Sequence, residues 1–285
     1  MHDQERSGPV AILAGSGELP LLLAERVRAS GRECRLLAFR GFASRAARAQ
    51  ADAIVGLLDL KGTLAWLERW APQSLALAGG LRRPDAGALL DAYSAFRSRS
   101  EIREVVARGD DNLLRGAVGV LEDRGFRLVG VRDLAPELLA EAGQYGAHAP
   151  EPASNESIEV GMRLLRCVSP FDIGQSAVLV GHRVIAIEGP EGTDRMLARA
   201  RALRARGLLR RPKRGGVLVK APKQGQDLRV DLPAIGPQTV ANAARAGLSG
   251  IAIASGLTIV IDRAATVHEA DRLGLFVIGR PEPGL

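Results

Sequence analysis

VAILAGSGELPLLLAERVR, residues 10–28, decides the fold. Residues 10–14 are an unbroken apolar run of the length of a buried strand. Gly15-Ser16-Gly17 breaks the run, and residues 19–28 then repeat apolar side chains at helical period. Working outward, the same alternation returns. A strand is expected at 35–39, a helix at 61–70, a strand at 75–78 closed by Gly79-Gly80, and a helix at 112–124 leading into a strand at 127–131. Strands and helices that alternate in this way fold as parallel βαβ units. The fold class is therefore α/β, with a Rossmann-like parallel sheet over residues 1–140.

The pattern fails between 141 and 155, where GQYGAHAPEPASN (143–155) is rich in Gly, Ala, Pro and Ser and reads as a linker. Beyond it, residues 156–285 form a second α/β domain with a mixed sheet. Expected there are a helix at 156–168, a hairpin over 177–187 turning at Gly181-His182 and a basic helix at 193–206. They are followed by a strand at 216–219, a helix at 240–247, adjacent and antiparallel strands at 250–254 and 258–262, a helix at 264–273 and a strand at 275–278. No repeat of 20 to 50 residues is present.

The 285 residues fit about two domains, and 46% hydrophobic content supports a sizeable core. Aromatics are 4%, too few for base-stacking platforms, so nucleic acid is not an expected partner. The net charge of +7 fits an anionic partner or an arginine-rich coding bias equally. Cys34 and Cys167 stand apart, which fits a reducing compartment and no disulfide framework. The N-terminus shows no apolar signal region, and no apolar run reaches 18 residues, so a cytoplasmic protein is expected. His2, His148, His182 and His268 share no metal-ligand spacing, and Trp66 and Trp70 at i,i+4 read as packing.

The chemistry concentrates in VLVKAPKQGQDLRVDLPAIGPQT, residues 217–239. Two glycines and three prolines there set special backbone angles around Lys220, Lys223, Asp227, Arg229 and Asp231. One aspartate could hold a hard cation while the other orients water, with lysines balancing phosphate charge. The alternative is ordinary salt bridging within a loop. Gly15, Ser16 and Gly17 could cradle a phosphate at a helix start, or form a plain tight turn. Pro20 stands where a third dinucleotide glycine would be, and Arg40 ends the second strand where an acid would bind a ribose. Arg82 and Arg83 follow a strand end, placed to clamp phosphate or to lie solvated. Asp110 or Asp111 suits a helix N-cap or a substrate contact. Glu188, Thr193 and Asp194 surround a Gly-rich turn that could ligate Mg²⁺ through oxygen or could cap a helix.

Taken together, GSGELP, GLRRP, GDDNLL, EGTD and the 217–239 segment resemble the UDP-2,3-diacylglucosamine pyrophosphatase family of the LpxI type, in matching order over about residues 10–279. The long segment is the specific signal; GSGELP alone is weak. One departure is Gly79-Gly80-Leu81, where a single glycine and a branched residue are expected. The resemblance implies two linked domains with substrate between them. It also implies Mg²⁺-dependent hydrolysis of UDP-diacylglucosamine to UMP and 2,3-diacylglucosamine 1-phosphate in lipid A biosynthesis, with water attacking the sugar-side phosphorus. It matches the family's essential aspartate to Asp227, with Asp231 as the second match; Asp227, Asp231 and Lys220 are therefore the expected catalytic residues. Substrate contacts fall to Gly15, Ser16, Gly17, Leu19, Arg82, Arg83, Asp111, Thr193, Asp194, Lys223, Gln226, Arg229 and Thr239. Metal falls to Asp227 and Glu188. The basic charge then also fits docking on an anionic inner-membrane surface, and a homodimer stays open. The rivals are an NADP-dependent oxidoreductase using the GSG loop and Arg40, and a non-enzymatic nucleotide- or lipid-binding module.

Overall fold

Val10–Ala14 (β1) is buried at every position because a strand inside a parallel sheet is covered on both faces. A computed structural model describes residues 8–57, 59–80, 110–207 and 215–282 of the chain. After β1 come α1 (Leu19–Ala29), β2 (Cys34–Phe39), α2 (Arg45–Gln50), β3 (Ala53–Val55), α3 (Leu60–Trp70), β4 (Ser74–Ala78), α4 (Asp110–Asp123) and α5 (Val131–Leu134). Then follow β5 (Gly143–Tyr145), α6 (Pro152–Val168), β6 (Ser176–Val180), β7 (Arg183–Ile187), α7 (Thr193–Ala205), β8 (Val217–Lys220) and β9 (Ala234–Ile235). The chain ends with α8 (Pro237–Arg245), β10 (Gly250–Ala254), β11 (Ile259–Val260), α9 (Arg263–Leu273) and β12 (Phe276–Arg280).

The chain divides into two units. The first holds residues 1–136 together with Arg229–Asp231, and the second holds the remainder. The first unit's sheet has the order β3-β2-β1-β4, with every pairing parallel. The chain runs outward from β1 to β3 and returns to β4 on β1's other side. A switch point therefore lies between the carboxyl ends of β1 and β4, where open α/β sheets bind ligands. The parallel sheet agrees with expectation. The strand expected at 127–131 is a correction: only Leu128 bridges to Leu75, because Gly130 caps α5 and Val131 already turns helical. Two elements escaped the reading. In α2 only Ala47 is buried, so no apolar period exists to detect, and β3 has three residues.

The second unit's sheet runs β5-β12-β10-β8-β6-β7. Strands β8, β10 and β12 are parallel, while β5, β6 and β7 join antiparallel, which makes the sheet mixed. Helix α6 packs Ile158, Met162 and Leu165 in a cluster with Leu179 and Val219 on one face. Helices α7, α8 and α9 cover the other face with Met196, Leu197, Val240, Ala243 and Ala270. Gly161 lets α6 lie close, since a Cβ there would meet Leu179 Cδ1 at 2.8 Å.

The hairpin turns at Gly181 as expected, with φ +60°. Residues 141–155 are more than a linker. Gly143–Tyr145 is an edge strand antiparallel to β12, Tyr145 is buried, and α6 already begins at Pro152. Composition hid this because a three-residue edge strand needs only one inward side chain. The strand expected at 258–262 shrinks to Ile259–Val260 and pairs in parallel with β9 in a separate two-stranded sheet. It does not lie antiparallel to β10.

Candidate functional site

The two units carry different kinds of candidate site. In the first, β1 and β4 are each followed by glycine, and their loops bond to one another. Gly15 N–H donates to Ala78 O at 2.8 Å, Ser16 N–H to Gly80 O at 2.9 Å, and Gly80 N–H to Ser16 O at 3.1 Å. Ser16 Oγ also donates to Gly80 O at 2.9 Å. Gly79 has φ +88°, and a Cβ there would run into Ser16 O, so no other residue fits without displacement. Hence the amides of Gly15 and Ser16 serve the loop itself. Gly17 (φ +89°) and Glu18 are exposed at the start of α1, and Leu19 is half-buried. The phosphate cradle expected from Gly15, Ser16 and Gly17 is thus narrowed to the amides from Gly17 onward. Arg40 is exposed at the end of β2. Arg82 and Arg83 lie outside the described residues. Asp111 lies in the first turn of α4.

In the second unit the candidate site is built from side chains. Lys220 closes β8 and is only 7% exposed. Its cross-strand partner in β6 is Ser176, so the two stand side by side at one end of the sheet. Lys220 Nζ donates to Thr193 Oγ1 at 2.8 Å, and Thr193 Oγ1 donates to Glu188 Oε2 at 3.1 Å. Ser176 Oγ donates to the same Glu188 oxygen. Gly174 makes room: a Cβ there would strike the Glu188 side chain at 2.6 Å. Thr193 is the first residue of α7, preceded by the N-cap Gly192 at φ +82°, so neither Thr193 nor Asp194 is the N-cap. A buried ammonium, two hydroxyls and a carboxylate thus meet at the positive end of a helix dipole. Asp194 is exposed and accepts from Asn242 Nδ2 at 2.8 Å.

Beyond β8 the backbone turns sharply through Gly225 at φ +71°. Gln226 is buried, and its Oε1 accepts from Lys223 N at 3.0 Å. The turn is pinned from below: Gln224 N–H donates to Ser169 Oγ, and Lys223 Nζ to Asp172 Oδ1, both at 2.5 Å. Asp172 holds φ +53° just after the exposed Phe171. Asp227 follows, half-buried, and Thr239 is half-buried in the first turn of α8. Arg229 and Asp231 are counted with the first unit, where Arg229 Nη1 pairs with Glu122 Oε1 at 2.6 Å. The 217–239 stretch is therefore divided, and its two aspartates belong to different units.

Among the described residues no three His, Cys, Asp or Glu side chains gather as a metal cluster. Magnesium does not require one, because it is commonly held by one or two carboxylates, waters and substrate phosphates. The charge balance suits it. Lys223 is already matched to Asp172, and Lys220 is answered through Thr193 by Glu188, so an added diphosphate brings negative charge that these lysines do not offset. Asp227 and Glu188 are the two carboxylates that would hold the ion, and Glu188 also accepts from two hydroxyls. Ser176, Ser169 and Asp172 were missed by sequence reasoning. A serine heading the apolar run 177–180 was the available signal for Ser176; the other two act across more than 50 residues and left none.

Comparison with known proteins follows the same division. A family model described as the LpxI N-terminal domain matches residues 9–138, and one described as the LpxI C-terminal domain matches residues 141–278. The chain is 36% identical over 270 residues to a protein of Caulobacter vibrioides described as UDP-2,3-diacylglucosamine pyrophosphatase LpxI, covering 95% of this chain and 96% of that one.

Proposed function

The chain belongs to the LpxI family, and from that premise we propose that it hydrolyses UDP-2,3-diacylglucosamine to UMP and 2,3-diacylglucosamine 1-phosphate in lipid A biosynthesis. The observation that carries the reading is Lys220, a buried ammonium hydrogen-bonded to the first residue of α7. An ammonium in that setting, next to a helix N-terminus, favours an anionic oxygen as its ligand. Lys220 and Thr193 hold a non-bridging oxygen of the diphosphate, Glu188 fixes the orientation of Thr193, and Lys223 steadies the turn that presents Asp227.

Water attacks the sugar-side phosphorus and forms a new P–O bond. The bond from that phosphorus to the bridging oxygen breaks, UMP leaves with the bridging oxygen, and the water's proton passes to solvent. Asp227 orients the attacking water and, with Glu188, would hold Mg²⁺. When bound, Mg²⁺ neutralises charge on the non-bridging oxygens. The GSG loop and Arg40 suggested an oxidoreductase, and that reading gives way to the family assignment.

A diacylated substrate places the enzyme at a lipid surface, so the protein works in the cytoplasm, peripheral to the anionic inner membrane. Among the described residues no helix is long and apolar enough to cross a membrane. The test is release of UMP from UDP-2,3-diacylglucosamine by purified protein with Mg²⁺ and with chelator. Turnover lost in chelator and in Asp227→Ala is expected. Full turnover of Asp227→Ala, or none in the unaltered protein, would falsify the proposal.

A further inference from the structure

The positive charge of this protein is concentrated in one place. From Arg195 to Arg206 there are five arginines (195, 199, 201, 204 and 206) and no acid, and the sequence stays basic through Arg210, Arg211, Lys213 and Arg214. Those nine charges exceed the chain's net +7, so everything else carries 7 − 9 = −2. A coding bias toward arginine would spread the excess; here it lies on α7 and the residues that follow.

Along the helix and its C-cap, Arg206, the five arginines separate into two groups. Arg204 turns inward, with Nε and Nη2 donating to Ala246 O at 3.0 Å and Gly215 O at 2.6 Å. Arg199 is tied to Ile187 O and to Glu191 at 2.9 Å. Arg195, Arg201 and Arg206 are exposed and have no side-chain partner among the described residues. Arg195, Arg199, Ala202 and Arg206 are spaced i, i+4, i+7 and i+11, which aligns them in a stripe of roughly 16 Å; Arg201 stands about 120° round the helix from Arg195, at the other edge of the exposed face. The exposed residues between the arginines are Ala198, Ala202 and Ala205. Alanines leave the guanidinium groups unobstructed and offer nothing large enough to insert into hydrocarbon.

We infer that the exposed arginine face of α7 is the surface by which the protein docks on an anionic lipid bilayer. The inference rests on the proposed function, which requires a lipid substrate, and it assigns the docking surface to Arg195, Arg201 and Arg206. Thr193, in the candidate site, is the first residue of the same helix, so a docked α7 brings that site to the membrane. Binding without insertion is electrostatic and weakens with salt.

The test uses the full chain and sedimentation with phosphatidylcholine vesicles, with and without phosphatidylglycerol. The unaltered protein is expected to bind only the anionic vesicles and to be released by high salt. R195Q/R201Q/R206Q is expected to bind on the order of a hundredfold more weakly at low salt. It should keep its circular dichroism and its turnover of detergent-dispersed substrate. R45Q/R48Q/K61Q, the same charge change in the first unit, should bind as the unaltered protein does. Undiminished binding by the α7 variant, equal loss in the first-unit variant, or salt-resistant binding overturns the inference. So does loss of RNA binding in the α7 variant without loss of vesicle binding. Absence of turnover on detergent-dispersed substrate, with vesicle binding intact, fails the proposed function instead and leaves the docking surface standing.

Discussion

The first unit prepares its candidate site with backbone and the second with side chains. At the β1–β4 switch point the positions that matter are glycines, and two of the loop's amides are consumed in bonding the loops together. At the end of β8 the positions that matter are Lys220, Thr193, Glu188 and Ser176, joined in one hydrogen-bonded chain. A backbone site tolerates side-chain change except where a Cβ intrudes, so mutation there should be read in stability. A side-chain site loses function by truncation, so mutation there should be read in turnover.

The sharpest test of that contrast is Lys220→Met, which keeps bulk and removes the ammonium. It should lower kcat/KM by about two to three orders of magnitude, the loss typical of removing a charge-stabilising donor. The near-ultraviolet circular dichroism should stay intact. Next comes Gly79→Ala. A left-handed backbone angle and a Cβ against Ser16 O should cost the first unit roughly 2–3 kcal/mol. That loss would show as a shifted first-unit transition in urea, with Lys220 chemistry retained in whatever remains folded. If Gly79→Ala instead abolished turnover at unchanged stability, the contrast would be reversed.

Thr193→Val should lower kcat/KM about tenfold by cutting the connection between Lys220 and Glu188, a loss the size of one hydrogen bond to a charged group. Thr193→Ser should restore most of it. Equal loss in both variants would show that the hydroxyl alone does not suffice and that the methyl group is needed to hold it. The smallest effect concerns the cysteines. Burial pushes the Cys34 thiol up to about 11, whereas Cys167 is exposed. A thiol reagent at neutral pH should modify Cys167 at least tenfold faster in the folded protein, since the thiolate is the reacting form. Because the folded value is raised above the ordinary 9.0, the protonated thiol's contribution is complete below pH 9.0. It fades as pH rises toward about 11, so Cys34→Ala should flatten alkaline stability loss in that window.

Much of the fold was legible because the central strands are short, almost wholly apolar runs with glycine close by. Val10–Ala14 and Gly250–Ala254 stand where periodicity put them. What escaped was short or paired at a distance. Gly143–Tyr145 depends on β12, more than 130 residues away, and Ile259–Val260 on a two-residue strand. The site was legible as a set of residue types and illegible as a network. Glu188 and Thr193 are close in sequence, but Ser176 and Lys220 join them only because β6 and β8 pair. Asp194 looks equivalent to Thr193 in sequence and faces Asn242 instead. Asp227 and Asp231, four residues apart, are counted with different units, which no residue type or spacing announces.

That short return has a consequence for how the protein can be divided. Val230 packs in the first unit's apolar cluster beside residues such as Leu75 and Leu128, and Gly130 admits the Arg229 backbone so closely that a Cβ would meet its Cα at 2.8 Å. A gene truncated after codon 136 would therefore encode a fragment with an open seam, missing a plug that the genome writes almost a hundred codons later. The ribosome finishes the first half of the sequence well before the first half of the molecule is whole.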